Sequence, residues 1–338
     1  MICLRTMTIA LSLVLPARAV AQDPAFSQFF SSPLNINPAL TANINSDWRA
    51  IAHFRDQWAG PVHPYVSGTL SFDSKILQHK VAHMPEQATI WGVGVLLMYD
   101  RTMGGAVRST YGTLTGSYSL RVVENDEFTH RVNIGFGGTY GRRFIDYTRL
   151  DFEEQFTGFG FNTSLPTGEA SLDNMKPYLS LSAGITYSIK SEETNFDIGT
   201  SAYHLNGPRQ TFLKDDRQVL PIRHVAHANF EKVLNNRLLL STAAIYQFQR
   251  NANYVSIGGA LGYYIGETSL INAGLWYWSK NAIVPYVGYA LNSMQIGVSY
   301  DVTLSKLKTA SPRPNTWEVS LIYRGIREPS KLLYCPWK

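Results

Sequence analysis

His53, His63, His79 and His83 fall close together and His224 and His227 form a second pair, so the first chemistry these side chains suggest is metal coordination. A metal needs ligands that converge on one point. His53 and His63 belong to different expected strands, and a spacing of three puts His224 and His227 on opposite faces of one strand. Asp151, Glu153 and Glu154 could serve in glycoside hydrolysis or calcium binding, but the ligand spacing of a calcium loop is absent. They read as part of a solvated surface loop. Ser, His and Asp are all present without a Gly-x-Ser-x-Gly elbow; the nearest match, Gly116-Ser117-Tyr118, falls in mid-strand. No helix follows Gly135-Phe136-Gly137-Gly138 to cradle a phosphate, so these are expected as inward-facing glycine in a strand. The reading is a chain with no catalytic residue, no cofactor and no metal.

The elements that would position any such residue are strands. Period-two alternation dominates after residue 46. In 178–189, Leu179, Leu181, Ala183, Ile185, Tyr187 and Ile189 alternate with Ser180, Ser182, Gly184, Thr186 and Ser188. Val255, Ile257 and Leu261 against Ser256, Gly258 and Ala260 repeat the scheme, as do Ile296, Val298 and Tyr300 against Gln295, Gly297 and Ser299. A soluble β-sandwich alternates too. Aromatic residues near segment ends, Trp91 and Tyr99, Trp276 and Trp278, Trp317 and Tyr323, fit the girdles of a membrane barrel instead.

The segments expected are 47–58, 62–72, 89–99, 107–122, 131–143, 177–190, 194–203, 224–232, 237–248, 252–265, 268–278, 282–291, 294–304 and 316–325. That makes about fourteen, an even number as a bacterial barrel requires. The fold class is therefore all-β: a transmembrane outer-membrane barrel of about 14 antiparallel strands in one domain, 47–325, with a tail, 326–338. If the amino terminus is periplasmic, the longest connections, 144–176 and 204–223, face outward, while 73–88 is a long link on the other side, read as a short capping helix or a miscount.

Composition supports the barrel. Charged residues make up only 16% and aromatic residues 12%, which suits a surface facing lipid. No stretch beyond the leader approaches about eighteen consecutive apolar residues, which excludes a helical membrane protein. Residues 1–21 combine Arg5, an apolar run from Met7 to Leu15 and small residues at Ala17, Ala19 and Ala21, the pattern of a signal peptide cut before Gln22. Its loss removes Cys3, leaving Cys335 without a disulfide partner, and lowers the formal charge from +5 by the two arginines, Arg5 and Arg18. So small and unclustered an excess gives no sign of nucleic acid as a partner. Residues 22–46 carry Phe26, Phe29, Phe30, Leu34 and Ile36 without strand or helix periodicity, among Pro24, Pro33 and Pro38. Such a segment must be covered, either as a plug in the barrel's periplasmic mouth or as a docking peptide on a periplasmic partner.

Gln22-Asp23-Pro24 followed by Phe26-Ser27-Gln28 and then Asn37-Pro38-Ala39 resembles the opening of the PorP/SprF family. The likeness continues through Arg55-x-Gln57-Trp58 and the strand from Pro61 to Phe72. Near the far end Tyr300-Asp301-Val302-Thr303-Leu304-Ser305 is similar to the family's Tyr-Asp-x-x-x-Ser, and Trp317-Glu318 with Leu321 and Tyr323 to its last strand. Cys335-Pro336 resembles the terminal Cys-Pro, although the family usually finishes Cys-Pro-Arg-Phe and this chain ends Trp337-Lys338. The resemblance implies an outer-membrane barrel of the type IX secretion system in Bacteroidetes-like bacteria, often linked with gliding motility. Implied partners are outer-membrane lipid, other secretion subunits, and secreted cargo carrying a C-terminal sorting domain. A porin-like diffusion channel is the alternative that the barrel alone leaves open.

Overall fold

A computed structural model describes residues 23–59, 63–76, 89–124, 127–169, 174–210, 219–305 and 315–325. Residues 1–21, expected as a signal peptide, lie outside these described residues, as do Gln22, His79, His83, Cys335 and Pro336. The strands are β1 Trp48–Ala59, β2 Tyr65–Ile76, β3 Thr89–Thr102, β4 Val107–Glu124, β5 Thr129–Ile145, β6 Tyr178–Lys190 and β7 Thr194–Tyr203. They continue as β8 Arg223–Asn235, β9 Leu238–Gln249, β10 Ala252–Tyr264, β11 Ser269–Trp278, β12 Ala282–Leu291, β13 Met294–Tyr300, β14 Val302–Thr303 and β15 Asn315–Gly325. β13 and β14 are two parts of one strand, since both pair with β12 on either side of Asp301. The result is a closed antiparallel barrel of fourteen strands, in which β1 joins β15 from Trp48↔Gly325 to Gln57↔Thr316. Closure pairs every strand on both sides and leaves no edge, as lipid demands.

The alternation sets the two faces. Leu179, Leu181 and Ile185 are exposed on the outer surface, while Ser180, Ser182, Thr186 and Ser188 are buried inside. Val255, Ile257, Ile296 and Val298 follow the same outward phase. The aromatic expectation divides: Trp91, Tyr99, Trp317 and Tyr323 face outward, but Trp276 and Trp278 point into the barrel at 1% and 8% exposure. Their phase explains it, because Leu275 and Tyr277 take the outward positions of β11.

β1 starts at the barrel end where β2 and β15 finish, since Trp48 pairs with both Ser74 and Gly325. The opposite end carries the longest connections, 146–177 after β5 and 204–222 after β7, so the two ends are a short-turn end and a long-loop end. Asp73 to Ile76, expected in a link, extend β2 instead, with Asp73 facing Arg49 in the ladder. The rest of that link, 77–88, lies outside the described residues.

Candidate functional site in the barrel lumen

Residues 23–46 occupy the lumen. Their prolines dictate the local shape: Pro33 opens the short helix α1, Pro33–Ile36, and Pro38 opens a 3-10 turn, Pro38–Leu40. Asn37 caps that turn, its side-chain oxygen accepting from the Ala39 N–H at 2.8 Å. Compact turns joined by extended residues let the segment run from Asp23, beside the ends of β7 and β9 at the long-loop end, to Ser46 at the short-turn end. It therefore traverses the barrel rather than sitting in one mouth.

Four polar anchors fix it. At the first, Glu318 accepts the backbone N–H groups of Ser27 at 2.7 Å and Gln28 at 2.8 Å. Arg55, its direct neighbour across the β1–β15 ladder, pairs with Glu318 and reaches Asp301 at 3.1 Å, and His53 Nε2 lies 3.0 Å from the Glu318 carboxylate. The Ser27 hydroxyl donates to Asp301 at 2.8 Å, and the Gln28 amide donates to Ser299 at 2.9 Å and accepts from Ser320 at 2.7 Å. Phe26 packs on the His53 ring, and the Arg55 guanidinium lies over Trp278.

At the second, the Asp23 carboxylate meets His204 at 2.8 Å and Arg223 at 3.3 Å. Burial works against its charge, but Arg223 and His204 together outweigh that and hold the carboxyl at about 2. Arg223 also donates to the Asn35 carbonyl at 3.0 Å and stacks on Tyr203, whose hydroxyl donates to the Leu34 carbonyl.

The third is Asn37. Its amide donates to the Ile185 and Thr200 carbonyls and the Thr186 hydroxyl at 3.0–3.2 Å and lies 3.1 Å from His227. The chain comes so close to the wall here that a Cβ on Gly135 would overlap the main chain of Pro38 and Ala39, and one on Gly184 would overlap the Asn37 side chain. At the fourth, Arg49 makes a two-pronged pair with Asp73 at 3.0 and 2.9 Å, and the Ala42 N–H donates to the same carboxylate at 2.8 Å.

The apolar residues of the segment meet an apolar sector of the inner wall. Phe29, Phe30, Ile36 and Leu40 pack with Val225, Ile245, Trp276, Val284 and Tyr286, with Phe30 4.9 Å from the Trp276 ring and 5.5 Å from that of Tyr286. Each large side chain buried in this way contributes ~1.5–3 kcal/mol.

The structure thus brings Asp23, Phe26, Ser27, Gln28, Asn37, Pro38, Arg55 and Asp301 together in the lumen. Pro24 is half-buried beside them. Gln57 supports Arg55, accepting from its Nε at 3.3 Å. Trp58 stands apart, with a left-handed φ of 62° and its ring on Tyr65, and Tyr300 faces outward, donating to Asn315. His53 and His227 are anchors of the segment, whereas His224 faces outward against Phe248. Ser117 donates to the Thr41 carbonyl, and Asp151, Glu153 and Glu154 are exposed in the long loop. Sequence reasoning did not single out Glu318, Asp73, Arg49, Arg223 or His204 as site residues. The signal available was a charge on the inward phase of a strand in a chain with few charges.

A family model described as "Type IX secretion system membrane protein PorP/SprF" matches residues 19–323. No curated protein matches the chain. Similar solved structures include a Pseudomonas aeruginosa FadL homologue, with 12% identity, a TM-score of 0.45, and coverage of 85% of this chain and 92% of that one. Another is the Pseudomonas putida toluene transporter TodX, with 9% identity, a TM-score of 0.44, and coverage of 86% and 91%. A third is the KdgM porin in complex with disordered oligogalacturonate, with 8% identity, a TM-score of 0.39, and coverage of 81% and 98%. Likeness at this level says nothing of what the present chain carries.

Proposed function

The chain belongs to the PorP/SprF family of type IX secretion system membrane proteins, and from that membership we propose that it supports the secretion or surface attachment of cargo carrying a C-terminal sorting domain, gliding adhesins among them. Membership implies association with other components of the secretion system. The observation that carries the reading is the occupied lumen. A diffusion porin needs an open polar channel, whereas here residues 23–46 lie along the barrel axis, tied to opposite walls by Glu318, Arg223, Thr186 and Asp73. On this reading Asp23, Ser27, Gln28, Asn37, Arg55 and Asp301 hold the segment in place, so the family's motif serves to keep the barrel filled. The long-loop end, with 146–177 and 204–222, offers the surface to which cargo is held.

The test is a chromosomal deletion of the gene in its own host, complemented with the native chain. Surface recovery of a reporter fused to a C-terminal sorting domain should fall on deletion and return on complementation. Normal surface recovery in the deletion strain, together with lost uptake of small solutes, would favour the porin-like alternative.

A further inference from the structure

A cavity of about 420 Å³ lies at the short-turn end, between the inner wall of β2–β6 and residues 41–45. Its wall presents three cations, Lys75, Arg131 and Lys190, with the hydroxyls of Ser117 and Ser119 and the amide of Asn133. Among the described residues that line it there is no Asp or Glu. Glu193 and Glu231 border a much smaller adjoining space with Lys190, which biases an incoming anion toward Lys75 and Arg131. The three cations also have contacts of their own within the chain, so a bound anion would share them.

The floor is built and held. Ala42 adopts a left-handed φ of 55°, a conformation that costs an alanine energy and persists only where its surroundings impose it. The imposing contacts are the Ala42 N–H to Asp73, the Thr41 hydroxyl to Thr115 at 2.8 Å, and the Asn43 amide to Asp197 at 3.1 Å. Residues 43–45, which follow that kink, line the cavity.

We propose that this cavity is a binding site for an anionic group, a carboxylate or a phosphate, entering from the short-turn end. Charge-assisted hydrogen bonds from a guanidinium and ammonium groups, gathered in one recess whose described lining holds no carboxylate, recognise that chemistry. The group is either a small free anion or an acidic side chain on a peptide segment of a partner. Where the long loops face outward, this end opens to the periplasm. The inference is independent of the secretion reading, because it concerns the purified chain alone.

The experiment is calorimetric titration of the detergent-purified full chain with inorganic phosphate and, separately, with a short oligoglutamate peptide. At low salt at least one probe should bind saturably, and the affinity should fall at high salt as screening grows. Saturation by phosphate alone identifies a small-anion site, and saturation by the peptide alone identifies a docking site for an acidic segment; either supports the proposal. Lys75→Gln combined with Arg131→Gln should weaken binding about tenfold or more, the change produced by losing ~1.4 kcal/mol. Lys232→Gln, an exposed charge outside the cavity, should not. The single Lys75→Gln variant and the salt dependence of the native chain keep the test open should the double variant fail to assemble. No saturable binding of either probe at low salt, or binding indifferent to salt and to Lys75→Gln, would overturn it.

Discussion

Replacing Gly135 by alanine should loosen the lumen segment while leaving the barrel wall intact. A Cβ at 135 would overlap the main chain of Pro38 and Ala39, and main chain cannot swing aside as a side chain can. Overpacking of this kind costs ~1–3 kcal/mol. Relief requires Asn37 to Ala39 to move off the wall, which strains the Asn37 hydrogen bonds to Ile185, Thr186 and Thr200, each worth ~1 kcal/mol. A penalty of ~2 kcal/mol raises the population with a displaced segment about thirtyfold. Gly138 supplies the control, lying in the same strand with nothing near a Cβ built on it. In planar bilayers Gly135→Ala should show openings that the parent and Gly138→Ala lack, and limited proteolysis should cut within 23–46 in Gly135→Ala alone. Gly184→Ala strikes the same Asn37, so its effect should add less than fully to that of Gly135→Ala. Indistinguishable behaviour of Gly135→Ala and Gly138→Ala in both assays would refute the close approach on which the argument rests.

Glu318→Ala removes the common acceptor of Arg55, Ser27 and Gln28 and should cost about 3–5 kcal/mol, because it leaves Arg55 buried with only part of its partners; heat-modifiable gel mobility reads the loss, and a shift as small as that of Lys232→Gln would contradict it. The depressed pKa of Asp23 gives a pH signature: its stabilisation is complete above the ordinary value of 3.8 and is lost as pH falls toward about 2. Acid-induced opening of the native barrel should therefore include a step in that window that Asp23→Asn diminishes. Leu181→Arg, on the lipid face, should cost ~2–4 kcal/mol near the bilayer midplane, measured by refolding into lipid, and a cost near zero would overturn the face assignment. In a Cys335→Ser background, Pro24→Cys should react with an impermeant maleimide on intact cells and Asn45→Cys should not, because the segment runs from the long-loop end to the short-turn end; the reverse pattern would invert the topology.

The strands were legible because lipid outside and small polar residues inside enforce a period of two, visible in 178–189 without any partner in view. Burial of Phe26, Phe29, Phe30, Leu34 and Ile36 was also legible, since so many apolar groups among prolines have no regular element in which to hide. The path of that segment was not: an aperiodic stretch carries no register, and its contacts lie up to 292 residues away, as between Gln28 and Ser320. The inner wall was harder still. Trp276 and Trp278 sit near a strand end just as girdle residues do, and only the phase set by Leu275 and Tyr277 separates the two cases. Arg55 and Glu318 become neighbours only when the last strand closes on the first, so the family motif named Arg55 without revealing its partner.

The central claim is that residues 23–46 fill the lumen, and single-channel recording tests it directly. The purified full-length chain in a planar bilayer should show little steady current, and the same chain lacking Asp23–Leu40 should insert and conduct in long-lived steps. Large steady currents from the full-length chain, equal to those of the deletion, would contradict the claim.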